Sequence, residues 1–159
     1  MNDVTVSIEL AASARSVWEV VEPIERHVDW MTDAVAIRFE TNQTRGVGTS
    51  FLCDTKIGPI RLVDRMEITE WQPVTDDPDS GQGRMGVRHV GLVTGTGVFT
   101  IDDLGGRGDG APRSRFTWSE QLEFPWYLGG RLGATIGGKV VLGPIWRRNL
   151  RGLQQLVEA

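Results

Sequence analysis

The chain has 159 residues, 17 basic and 21 acidic side chains, and a formal net charge of −4, which fits one globular domain and argues against binding a phosphate backbone through bulk charge. A single cysteine, Cys53, excludes an intrachain disulfide, and with only two histidines it excludes a structural Cys/His zinc site; no metal or cofactor is expected. The N-terminus lacks the pattern of a secretory signal, and no apolar run reaches the ~20 residues of a membrane helix, so the expectation is a soluble cytoplasmic domain over residues 1–159 with no nucleic-acid partner and no stable membrane insertion.

Val4, Val6, Ile8 and Leu10 alternate as a half-buried strand. Ser13 stands where it can cap a helix over Ala14–Val21, with Val17, Trp18 and Val21 on one face. Pro23 ends that helix and starts a second helical stretch to Trp30. Strands are expected over Val35–Phe39, Thr49–Ile57 and Ile60–Trp71, with Gly58-Pro59 as a turn. An Asp/Pro-rich loop spans Gln72–Gln82. Two further strands lie near Gly86–Val93 and Gly97–Asp102, a glycine-rich loop covers Gly105–Pro112, and Arg115–Phe124 is the clearest strand. Gly129, Gly133 and Gly137 recur every four residues, as in a close-packed helix ridge or a segment at the mouth of a cavity that touches membranes transiently. Gly143 and Pro144 are expected to break or kink the chain before a final amphipathic helix, Ile145–Val157. Its outer arginines, Arg147, Arg148 and Arg151, either solvate that face or meet a protein partner.

A sheet with one long helix to cover it leaves a hollow, and a hollow is where a ligand goes. Strand parity names what faces it. Glu120 shares a face with Phe116, Trp118, Leu122 and Phe124, and Asp64 shares one with Ile60, Leu62, Met66 and Ile68. Carboxylates on an inward face need a partner or a proton. If Val90 and Leu92 point inward, Arg88 does too, which predicts a cluster of Asp64, Arg88 and Glu120. The alternatives are a bulge that shifts the parity and a place for these groups at the wet end of the sheet. Trp118, Trp146, Trp30, Phe99 and Met66 are candidate cavity walls or plain core. His27 is expected on the surface, His89 on the outward face of its strand, and Cys53 as a small core residue.

Two motifs fail in context. Gly81-Gln82-Gly83-Arg84-Met85-Gly86 matches the dinucleotide fingerprint but follows a loop and precedes a strand. Residues 76–81 suggest a calcium loop but lack its alternating ligands and distal glutamate.

Four local patterns resemble a known family: Ala12–Val21 with its Val-Trp pair, Ile24–Trp30, Glu67–Pro73 and Arg148–Leu153. In this order they resemble the START-like (SRPBCC) superfamily, in its polyketide cyclase/dehydrase and lipid-transport branch. The resemblance implies an α+β helix-grip fold: two short helices after strand 1, then a curved antiparallel sheet of about seven strands wrapped on a long C-terminal helix. It also implies a cavity for a hydrophobic or amphipathic small molecule such as a lipid, a polyketide or an isoprenoid. The alternatives are a polyketide cyclase, aromatase or dehydratase that uses cavity carboxylates, and a protein-interaction module on the same fold. The candidate ligand-binding set is Glu120, Trp118, Asp64, Arg88, Met66, Phe99, Trp30 and Trp146.

Overall fold

The computed structural model describes residues 3–77, 82–106, 110–126 and 141–159. Strand β1 (Asp3–Leu10) is followed by helix α1 (Ala14–Val21) and a 3-10 helix (Ile24–Asp29). Then come β2 (Ala34–Phe39), β3 (Ser50–Ile57), β4 (Ile60–Gln72), β5 (Gly83–Val90), β6 (Thr94–Asp103) and β7 (Ser114–Glu123). Helix α2 (Gly143–Val157) follows. The strands form one antiparallel sheet in the order β1-β7-β6-β5-β4-β3-β2. This is the α+β helix-grip architecture.

Local chemistry sets the element ends. Ser13 Oγ accepts from the Ser16 amide at 3.1 Å and caps α1, whose Val17, Trp18 and Val21 are buried. Pro144 lies inside α2, which starts at Gly143, two residues before the expected Ile145. It sits in the first turn, where the missing N–H has no helical partner to lose. Trp146, Asn149, Leu150 and Leu153 form the buried face of α2, while Arg147, Arg148 and Arg151 are exposed. Gly152 lets α2 pass close to the chain after the 3-10 helix, because a Cβ there would lie 2.8 Å from the Trp30 carbonyl oxygen. The Gly129, Gly133 and Gly137 ridge falls outside the described residues. Among the described residues no helix is long and apolar enough to cross a membrane.

The core lies between the sheet and α2. Leu10, Ile24, Ile101, Phe116, Leu150 and Leu153 are fully buried, each side chain contributing roughly 1.5–3 kcal/mol by leaving water. Trp30, Phe99, Phe116 and Trp118 meet mostly edge to face, and Trp118 stacks on Trp146 of α2 at 4.6 Å.

Two features of the sheet correct the expected parity. The β4–β5 ladder slips between Ile68 and Glu70, so Ile68 and Trp71 both turn toward the core. Trp71 meets Trp18 there, edge to face at 5.4 Å. Strand β5 also lies three residues earlier than expected, ending at Val90, with Gly91 and Leu92 in the exposed link to β6. Met85 and His89 are therefore the large buried residues of that strand, beside the buried Gly83 and Gly86, with Val87 half-buried on the same face as Met85 and His89.

Candidate functional site

A cavity of about 110 Å³ lies between the sheet, the 3-10 helix and the start of α2. Phe51, Leu62, Met66, Ile68, Met85, Val87 and Leu122 supply apolar walls from four strands. Phe99, Trp118 and Trp146 add aromatic faces, and Leu142 lies beside Trp146 at the head of α2. For scale, an engineered apolar cavity of ~150 Å³ admits benzene.

One wall is polar. Asp64, His89 and Glu120 come from β4, β5 and β7. Met66 is the register partner of His89, so Asp64 is the diagonal neighbour two residues away, within reach of a long side chain. Its Oδ2 accepts from His89 Nδ1–H at 2.8 Å. On the other side, His89 Nε2 lies 3.7 Å from Glu120 Oε2. Those two residues stand two strands apart, separated by β6. The register places Gly95 opposite His89 and Gly97 opposite Glu120, so β6 puts no side chain between them. A Cβ at Gly97 would lie 2.9 Å from Glu120 Cγ. Trp118 Nε1–H donates to Glu120 Oε1 at 2.9 Å and fixes that carboxyl from its own strand.

Two polar atoms of this wall, Asp64 Oδ1 and His89 Nε2, are buried without a hydrogen-bond partner. Their residues are 9 % and 4 % exposed. Burial is the largest influence on the His89 imidazolium and works against it. The hydrogen bond to Asp64, together with the nearby Glu120 carboxyl and the charges of both acids, outweighs that and lifts its pKa to about 10. Burial pushes the Asp64 carboxyl up, opposed by His89 and reinforced by the charge of Glu120. Asp33 also lines the cavity, just before β2. Burial raises its carboxyl too, against a 2.7 Å hydrogen bond donated by Asn149 Nδ2.

His27 is buried, not on the surface. Its Nε2–H donates to the Val21 carbonyl at 2.7 Å, and its ring packs against Trp30 and Phe99. Burial pulls its pKa down to about 4, so it is neutral at ordinary pH. Cys53 lines the cavity with its thiol pushed up to about 11 by burial, far from a reactive thiolate.

The structure brings Glu120, Asp64, Trp118, Met66, Phe99 and Trp146 to the cavity. Trp30 is buried in the adjoining aromatic cluster and is not part of the lining. Arg88 is not in the cluster. It is exposed on the opposite face of β5 and donates to Glu67 Oε2 at 2.6 Å. His89 takes the inward place given to it, because the turn at Gly91 sets the phase of β5. The signal was the alternation Met85, Val87, His89 ending at a turn-forming glycine; Val90 and Leu92 drew the reading onto the wrong face. Gly83 and Gly86 lie within a strand, with no helix following, so the dinucleotide reading has no footing there. Of the calcium-like segment, Asp76 pairs with Arg15, and residues 78–81 fall outside the described residues. Among the described residues, no group of three or more His, Cys, Asp or Glu is arranged to hold a metal ion.

A family model described as polyketide cyclase / dehydrase and lipid transport matches residues 1–158. No curated protein matches the chain in sequence. Among solved structures, a hypothetical protein from Helicobacter pylori is 14% identical with a TM-score of 0.71, covering 98% of this chain and 88% of that one. An aromatase/cyclase from a Streptomyces species has the same identity and TM-score over 98% of this chain and 93% of its own. A START superfamily protein from Mycobacterium smegmatis is 14% identical with a TM-score of 0.62, over 98% and 97% of the two chains. At such identities the likeness is one of fold.

Proposed function

From a chain that belongs to the polyketide cyclase / dehydrase and lipid transport family, we infer a domain that binds an amphipathic small molecule inside its helix-grip cavity. The observation that carries this reading is the pair of buried, unpartnered polar atoms, Asp64 Oδ1 and His89 Nε2, on the polar wall of a cavity whose other walls are mainly apolar. Leaving such an atom unsatisfied costs about 1–3 kcal/mol. A ligand head that hydrogen-bonds to them recovers part of that cost, while its apolar body lies against Met66, Phe99, Trp118 and Trp146.

Native mass spectrometry of the protein purified from its own host, followed by denaturing extraction, tests this directly. A co-purifying small molecule, or displacement of an apolar fluorophore by added amphiphiles, is the expected result. An apo mass together with no fluorophore binding, and no change on the cavity-filling variant Met66→Trp, overturns it.

One observation favours a second, enzymatic reading. The Asp64–His89 hydrogen bond orients the imidazole and supports its protonated form near neutral pH. A positioned imidazolium can donate a proton to a carbonyl or hydroxyl oxygen of a bound polyketide. A cyclase or dehydratase of this kind loses turnover in His89→Asn while still binding its substrate; a carrier shows no turnover to lose.

A further inference from the structure

We propose that the ligand of this cavity carries a protonated amine on a small apolar body, and that the cavity rejects carboxylates. The proposal rests on the ligand-binding reading above and names the chemical class of the ligand.

The first argument is charge. Asp33, Asp64 and Glu120 all face the cavity, and no lysine or arginine is among the described residues that line it. His27 is held neutral by burial, which outweighs the opposing effect of its bond to Val21. His89 is the one cationic group left among the described lining residues, so three carboxyls face one imidazolium. The charge of Glu120 bears unfavourably on both Asp33 and Asp64. A bound cation relieves that crowding, and a bound anion deepens it.

The second argument is hydrogen bonding. Asp64 Oδ1 is a buried acceptor with no donor. Glu120 Oε2 lies beyond hydrogen-bond distance of His89, at 3.7 Å. An ammonium group offers three donors and no acceptor, which matches a wall whose open positions are mainly acceptors. His89 Nε2 is the open donor on this wall, and it already faces the Glu120 carboxyl.

The third argument is the remaining surface. Phe99 and the stacked pair Trp118–Trp146 line the same cavity as the carboxyls. Aromatic faces attract cations and repel anions. A cavity of about 110 Å³ suits a body the size of one ring.

Three probes of nearly equal size separate the possibilities: benzylamine, benzyl alcohol and benzoate. Each is titrated into the full chain at pH 7.5, with affinity read by calorimetry and location read from the His89 ring protons by NMR. Benzylamine is expected to bind at least ten times more tightly than benzyl alcohol and to shift the His89 signals, with benzoate weaker than both. Glu120→Gln keeps an acceptor for the Trp118 N–H. It is expected to bring the amine preference below threefold while benzyl alcohol binds within twofold of its former affinity. Glu67→Gln removes a half-buried acid outside the cavity and leaves the preference intact, which separates the site from general attraction to an acidic protein. Benzoate binding as well as benzylamine, or an amine preference unchanged in Glu120→Gln, overturns the proposal while leaving the cavity reading in place. If none of the probes binds and none displaces an apolar fluorophore, both fall.

Discussion

His89 and Glu120 approach to 3.7 Å across an intervening strand, although neighbouring strands lie about 4.8 Å apart and these two residues are two strands removed. The approach is open because β6 presents Gly95 and Gly97 opposite them. A polar cluster in this sheet therefore depends on residues that contribute no side chain.

Gly97→Ala tests that dependence. Its Cβ would meet Glu120 Cγ at 2.9 Å and Oε1 at 3.0 Å, so the carboxyl must move away from both Trp118 and His89. The expected loss is about 1–3 kcal/mol of stability, as for other overpacked core sites, read as a lower urea midpoint at unchanged slope. Combining it with Glu120→Ala is expected to recover part of the loss. Full additivity of the two changes would show that Gly97 does not act through Glu120.

The two histidines set opposite pH limbs. Below pH 6.5 His89 is protonated in both the folded and the unfolded chain, and its stabilising contribution is complete. Above 6.5 the unfolded chain releases the proton while the folded one holds it, so stability falls as pH rises toward about 10. His27 behaves in the reverse sense: its neutral form is the buried one, so stability falls as pH drops from 6.5 toward about 4. Asp33 and Asp64, both raised by burial, oppose His27 on the acid side. Melting temperatures against pH are therefore compared between variants. His89→Asn is expected to flatten the alkaline limb, and His27→Gln to lift the acid one. An alkaline limb unchanged in His89→Asn would remove the imidazolium from between its two carboxylates.

How much of this was legible follows from what each residue's position depends on. Glu120 and Asp64 sit in the middle of long strands, where alternation among apolar neighbours sets the face, and both do line the cavity. The 3-10 helix and α2 were visible as periodic apolar stretches bounded by prolines. His89 was not legible, because it lies one residue from the end of β5 and its face depends on where the hairpin turns. His27 was misplaced because its burial comes from packing under Phe99, a contact more than 70 residues away in the chain. The gap made by Gly95 and Gly97 depends on strand register, which alternation within one strand does not carry.

Asn149 is the polar tie between α2 and the chain entering β2. It is fully buried, its Oδ1 accepts from the Thr32 amide at 2.8 Å and hydroxyl at 3.0 Å, and its Nδ2 donates to Asp33. Asn149→Ala leaves the Asp33 carboxyl without that donor beside the cavity. A loss of about 2–4 kcal/mol is expected, since more than one buried group is left unsatisfied. Asn149→Asp is expected to be no better, because it sets a second carboxylate against Asp33. Thermal melts of both variants check this; a melt of Asn149→Asp equal to the parent would show that Asp33 is protonated or turned away.

Arg88 and His89 are adjacent in sequence and opposite in role, which gives a paired prediction. The Arg88–Glu67 ion pair is exposed, at 57% and 37% side-chain accessibility, and exposed pairs contribute about 0–1 kcal/mol. Arg88→Gln is expected to change stability by no more than that and to leave binding of a cavity fluorophore untouched. His89→Asn removes a buried group between two carboxyls, so the expected cost is several times larger, about 2–5 kcal/mol, with altered fluorophore affinity. The measurement is a urea melt and a fluorophore titration on each variant. Equal effects from the two substitutions, or a larger one from Arg88→Gln, would mean that β5 presents its other face to the cavity.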